Sequence, residues 1–138
     1  MEQWILENEY VRTLAFYSVS ILALVVFLAI FETVTSYRNW EEIKKGNLAV
    51  AMATSGKIFG VANIFSHSIQ NSDSLLLMLL WGAIGFVLLL ISYFIFEFLM
   101  PSFKVDEEIK KDNRAVGFMS LVISVGLSYV IGAGIITR

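Results

Sequence analysis

LLLMLLWGAIGFVLLLISYFIFEFLM, residues 75–100, decides the architecture. Across this run the only formally charged side chain is Glu97. A helix needs about 20 mostly apolar residues to cross the hydrocarbon core of a bilayer. The run exceeds that and lacks the apolar–polar alternation of a barrel strand. It reads as a membrane-spanning helix.

Three further runs have the same character. Leu14 to Ser36 carries one charge, Glu32; Asn47 to Ile69 carries one, Lys57; Ala115 to Thr137 has no ionisable side chain apart from Tyr129. The whole chain agrees with them: 138 residues are 57% hydrophobic and only 16% charged. A soluble domain carries about 25% charged residues. The expected fold class is an all-α membrane protein with four transmembrane helices. Four such runs leave no room for a barrel of eight strands.

Composition also excludes functions. The net charge is −2, with no basic face for nucleic acid. Cysteine is absent and His67 is the single histidine, so disulfide frameworks and multi-ligand zinc or iron sites are not expected. No HExxH, GxSxG or P-loop occurs, and no carboxylate pair flanks a plausible cleft. The chain reads as non-enzymatic, with no catalytic residues, no cofactor and no bound metal.

The N-terminus carries Glu2, Glu7 and Glu9 where a secretory signal would carry basic residues, so the first span is expected to be retained. Residues 1–13 read as an interfacial segment, with Trp4, Ile5 and Tyr10 at head-group level. Orientation follows from the basic residues. Arg38, Lys44 and Lys45 lie in the first loop, and Lys104, Lys110, Lys111 and Arg114 in the third. The second loop has none, and the two ends offer only Arg12 and Arg138. Short loops rich in Lys and Arg stay in the cytoplasm, which places both termini outside, periplasmic in a double-membrane bacterium.

A shift of 66 residues lays EEIKKGNLAV, 41–50, on EEIKKDNRAV, 107–116, with eight of ten positions identical. The same shift superposes span one on span three and span two on span four. The chain therefore reads as two tandem helical hairpins, 14–70 and 71–138, repeated in parallel about an axis along the membrane normal. Within each loop Glu41 precedes Lys44 and Lys45, and Glu107 precedes Lys110 and Lys111, at favourable helical spacings. Glu42 and Glu108 belong to the same motif. Trp40 with Ile43, and Val105 with Ile109, would let each loop lie as a short interfacial helix. Asn47 and Asn113 stand at N-cap positions for the spans that follow. Either the loops are solvated turns or they dock a cytoplasmic protein.

The doubled motif resembles the YjfL family of bacterial inner-membrane proteins, domain of unknown function 350. The resemblance rests on Glu42-Ile43-Lys44-Lys45-Gly46-Asn47-Leu48-Ala49-Val50-Ala51 and covers roughly Leu14 to Ile136. The second copy departs from it with Asp112 for glycine and Gly117 for alanine. It implies a multi-pass protein of the bacterial inner membrane and supplies no activity. By operon context its members resemble partners of phage-shock-type membrane-stress proteins, an association only.

Inside the spans, Ala49, Ala53, Gly56, Gly60, Asn63 and His67 share one face of the second helix. Asn113, Gly117, Ser120, Ser124 and Ser128 share one face of the fourth. Such stripes pack helices closely or line a narrow polar path. Lys57, Glu32 and Glu97 are the intramembrane charges, each a functional suspect because a charge near mid-bilayer costs at least about 2.5–3.5 kcal/mol. Lys57 leans toward the cytoplasmic end of its helix, where an ion pair with Glu32 or Glu97 is expected. The reading that follows is a small homo-oligomeric channel or transport-like pore in the lipid bilayer. Its rival is a structural or membrane-stress protein that docks a cytoplasmic partner through its charged loops.

Overall fold

The computed structural model describes residues 2–35, 37–99 and 104–135. Every regular element among them is helical: α1 (Glu2–Glu7), α2 (Glu9–Val34), α3 (Asn39–Lys44), α4 (Leu48–Asn71), α5 (Leu75–Leu99), α6 (Val105–Lys110) and α7 (Arg114–Ala133). Helices α2, α4, α5 and α7 are long and apolar enough to cross a membrane. The first of them starts at Glu9, earlier than the expected Leu14, because Asn8 caps it by accepting from the backbone N–H groups of Tyr10 and Val11. The anticipated interfacial segment is thus split between α1 and the first turns of α2.

Helices α4 and α7 form the heart of the bundle and run parallel. Ala49 meets Gly117, Gly56 meets Leu121, Gly60 meets Ser124, and His67 meets Gly132. The approach is close enough to require glycine at two points. A Cβ on Gly56 would stand 2.8 Å from Leu121 Cα, and one on Gly117 would stand 2.7 Å from Ala49 Cα. No side chain fits there without separating the helices.

Helix α5 packs antiparallel against this pair after the short Ser72–Ser74 connection. Ser68 Oγ donates to the Met78 carbonyl at 2.6 Å, and Ser74 Oγ accepts from the Leu77 N–H at 3.1 Å. Helix α2 is peripheral. Phe16 and Phe31 are its two buried residues, while Leu22, Val25 and Val26 stand exposed where lipid would lie.

Two apolar clusters result. The larger gathers Phe31, Val61, Ile64, Phe65, Phe86 and Leu89. The second, at the loop end, gathers Tyr37, Ala49, Val50, Ala53, Phe96, Val105 and Ile109. Here the expectation of two surface-lying loop helices needs correction. Val105 and Ile109 are wholly buried, whereas Trp40 is exposed. Helix α6 inserts its apolar side into the bundle; α3 remains nearer the surface.

Candidate functional site

The loop end is built from local chemistry that occurs twice. Helix α3 ends with Gly46 N–H donating to the Ile43 carbonyl and Asn47 N–H to the Glu42 carbonyl. Helix α6 ends with Asp112 N–H donating to Ile109 and Asn113 N–H to Glu108. Both are Schellman closures, which require a left-handed residue just past the helix. Gly46 (φ 89°) and Asp112 (φ 64°) supply it. Each asparagine then starts the next span: Asn47 Oδ1 accepts from Val50 N–H at 3.0 Å and Asn113 Oδ1 from Val116 N–H at 3.4 Å. Their amide nitrogens donate back to Glu42 (3.2 Å) and Glu108 (3.0 Å).

Asp112 explains why an aspartate stands where the other loop has glycine. Its Oδ1 accepts from the Ala49 backbone N–H at 2.9 Å, capping α4 from the opposite loop. Asn47 Nδ2 also donates to the Lys110 carbonyl at 2.9 Å. The two loops are therefore hydrogen-bonded to each other and to the helix starts. Asn47 donating to Glu42 holds that carboxyl below the usual carboxylate range against some desolvation, and the positive charges of Lys45 and Lys110 act the same way.

Outward from this lock stand Glu41, Lys44, Lys45, Glu107, Lys110 and Lys111, all exposed. The expected pairing of Glu41 with the following lysines is replaced by Arg38–Glu41 at 3.3 Å and Lys45–Glu42 at 3.4 Å. In a helix as short as α3, Arg38 at the N-cap position lies within reach of Glu41. Exposed pairs of this kind contribute about 0–1 kcal/mol.

Inward from the lock lies Lys57. It is 1% exposed and surrounded by aromatic rings. Its Nζ donates to the Tyr37 hydroxyl at 3.2 Å. The same nitrogen lies 5.4 Å from the Phe31 ring centre, 5.3 Å from Tyr37 and 5.2 Å from Tyr93. The hydroxyl of Tyr93 in turn donates to a carboxylate oxygen of Asp106, itself buried. Phe31 comes from α2, Tyr37 from the connector to α3, Lys57 from α4, Tyr93 from α5 and Asp106 from α6. Ring faces present negative charge to a cation, and desolvation strengthens that attraction. The arrangement suits a buried ammonium.

Among the described residues, the carboxylate joined to this cage through Tyr93 is Asp106, which sequence reasoning missed together with Tyr37 and Tyr93. Glu32 lines a separate pocket with Asn39, Trp40 and Thr54. Glu97 lies on α5 with its side chain outside the described residues. The small residues of the two stripes meet in the α4–α7 seam. Asn63 Nδ2 donates to Ser128 Oγ at 3.0 Å across it, and His67 Nδ1 lies 2.9 Å from its own helix's Asn63 carbonyl oxygen. Ser120 and Ser124 line, with Phe31 and Tyr93, a cavity of about 10 Å³ between seam and cage.

Four apolar helices around a caged lysine, closed at one end by paired charged loops, define a polytopic α-helical membrane protein. Residues 5–135 match the family model described as Domain of Unknown Function (DUF350), and the chain belongs to that family. It is 68% identical over 129 residues to the UPF0719 transmembrane protein YshE of Bacillus subtilis, covering 94% of this chain and 96% of that one. It is 28% identical over 113 residues to the UPF0719 inner membrane protein YjfL of Escherichia coli K12, covering 81% and 84%. No solved structure gives a significant match. The family is thus one of bacterial inner-membrane proteins, and neither relative's name denotes an enzyme.

Proposed function

We propose that this protein is a non-enzymatic membrane platform whose rigid cytoplasmic end docks a protein partner. On this reading two tandem hairpins place both termini outside and present α3 and α6 to the cytoplasm. The observation that carries it is the lock between the loops, from Asn47 to Lys110 and from Asp112 to Ala49. A loop that served only to turn the chain would not need hydrogen bonds to its counterpart. Held in this way, exposed Lys44, Lys45, Lys110 and Lys111 lose little conformational freedom in the backbone when a partner binds.

The caged lysine fits the same reading. Its surroundings are aromatic and almost sealed, whereas a conducting path would keep a charge in contact with water. The α4–α7 stripes are occupied with each other inside a single chain. A second reading, a homo-oligomeric pore, draws support from α4, where Ala62 and Ser66 form a small exposed step beyond Phe59. Small residues on a lipid-facing helix allow close approach of another copy.

Ion flux separates the two. Purified protein in liposomes is expected to pass no more sodium, potassium or chloride than empty vesicles. Flux that Lys57→Met alters would overturn the platform in favour of the pore. On the platform reading, site-specific photo-crosslinking in cells from positions 44 and 110 gives a discrete adduct with another protein. Position 88, on the lipid-facing side of α5, gives none.

A further inference from the structure

Between α2, α3 and α4, beside the charged loops but distinct from the lysine cage, lies a pocket of about 200 Å³. Val25 and Ala29 form its apolar wall, Trp40 stands at one side, and Glu32, Asn39 and Thr54 contribute the polar groups. Asn39 is 3% exposed and Thr54 2%. Their oxygens, Asn39 Oδ1 and Thr54 Oγ1, are enclosed and meet no hydrogen-bond partner among the described residues. Buried polar atoms are almost always satisfied, so two orphans beside one pocket call for an occupant.

The chemistry of that occupant follows from the donor count. An ionised Glu32 carboxylate only accepts, the amide oxygen of Asn39 only accepts, and the Thr54 oxygen has lone pairs to offer. Three acceptors suit a group with three N–H donors and a positive charge. A bare metal ion fits less well. Calcium takes about 6–8 oxygens and magnesium needs a near-octahedral shell, while much of this wall is hydrocarbon. Trp40 adds an indole ring, the strongest side-chain partner for an organic cation. Val25 and Trp40 are exposed on the outer face, so the pocket opens sideways where lipid lies. Tryptophan also favours the head-group level of a bilayer.

We propose that this pocket binds an alkylammonium group, as carried by the head group of an aminophospholipid, with Glu32 as counter-ion, Asn39 and Thr54 as hydrogen-bond acceptors and Trp40 packed on the cation. The full chain in maltoside micelles tests this, with Trp4→Phe and Trp81→Phe leaving Trp40 as the reporter. Short-chain phosphatidylethanolamine is expected to change Trp40 emission saturably, and the phosphatidylglycerol of equal chain length is not. Glu32→Gln and Thr54→Val should each weaken the response at least tenfold at unchanged melting temperature, while Glu41→Gln leaves it intact. Ethanolamine producing the same saturation supports the ammonium site with a free amine as its source; no response to ethanolamine supports it with the lipid as source. Equal response to both lipids, the same saturation by sodium chloride, or indifference to both pocket substitutions would overturn the proposal. The lipid comparison on the parent chain stands even where a pocket variant fails to fold.

Discussion

The Nζ of Lys57 and the hydroxyl oxygen of Tyr37 are 3.2 Å apart, and this contact joins a span to the connector ahead of α3. Lys57 stands nine residues past Leu48, roughly 14 Å along α4 at about 1.5 Å per residue. Its side chain leans back toward the helix start, where Tyr37, Tyr93 and Asp106 converge. The bundle therefore meets the charge with rings, and the hydroxyl of one of them, Tyr93, reaches on to the buried Asp106 carboxylate from the loop end.

Removing the ammonium should strand that carboxylate. Lys57→Met is expected to destabilise the protein by about 3–5 kcal/mol, the usual cost of breaking one side of a buried charge cluster. Lys57→Met with Asp106→Asn should recover most of the loss, and Lys57→Met with Glu32→Gln should not. Reversible unfolding in mixed micelles gives the comparison. Equal recovery by both double variants would remove Asp106 from its special position.

The four spans were legible because hydropathy is a local property, and Glu9–Val34 and Leu75–Phe96 announce themselves without reference to any partner. The caps at Asn47 and Asn113 were legible for the same reason: the loop motif carries its own turn chemistry. The cage was not. Tyr37, Tyr93 and Asp106 lie in three separate segments, and Asp106 reads in the sequence as one more acidic residue of a solvated loop. Only the insertion of α6 through Val105 and Ile109 turns it inward. Sequence reasoning sought the counter-charge of Lys57 on neighbouring spans, at Glu32, which lines a separate pocket, and at Glu97, whose side chain is outside the described residues.

Asp112 tests the lock between the loops. Its left-handed backbone costs a non-glycine residue roughly 1–2 kcal/mol. Its cap on Ala49 returns about 0.5–2 kcal/mol. Asp112→Gly should consequently change stability by less than about 1 kcal/mol, because strain and cap disappear together. Asp112→Ala keeps the strain and loses the cap, and should cost about 1–2 kcal/mol more than the glycine variant. Thermal unfolding of the parent chain and both variants checks the order; an alanine variant as stable as the parent would deny the cap any weight, and one as stable as the glycine variant would deny the strain.

Glu42 makes the lock pH-sensitive in a defined direction. Its folded carboxyl sits below the ordinary carboxylate range because Asn47 donates to the charged form. A depressed carboxylate contributes stability above its unfolded value and loses it as pH falls through the folded value. Glu42→Gln should flatten the acid side of the stability profile, leaving neutral pH as the place where the two proteins differ most. Parallel profiles for both would show that the hydrogen bond from Asn47 is not coupled to folding.

Orientation can be read with single cysteines on the full chain. Lys44→Cys and Lys110→Cys occupy exposed positions on the two loops, and Asp73→Cys is exposed at the other end of the bundle. With α3 and α6 in the cytoplasm, an impermeant maleimide applied to intact spheroplasts should label position 73 and spare 44 and 110 until the membrane is opened. Labelling of 44 and 110 from outside, with 73 protected, would invert the topology and put the charged loops beyond reach of any cytoplasmic partner.

The α4–α7 seam supplies the sharpest comparison among glycines. A methyl group on Gly117 would meet the backbone of Ala49 at 2.7 Å, and one on Gly56 the backbone of Leu121 at 2.8 Å. Backbone cannot rotate aside as a side chain can, so Gly56→Ala and Gly117→Ala must push the helices apart. Overpacking of this kind costs typically about 1–3 kcal/mol. Gly126, on the same helix as Gly117, has nothing within 4 Å of the position its Cβ would take. Gly126→Ala should therefore be neutral or stabilising by up to about 1 kcal/mol, through reduced backbone entropy of the unfolded chain. Separation of the seam should also weaken the Asn63–Ser128 hydrogen bond, which bridges it further along. Melting temperatures of the three alanine variants decide the matter. Losses at 56 and 117 with none at 126 mean that the small residues are there for contact between α4 and α7; equal tolerance at all three would free those faces to line a path instead.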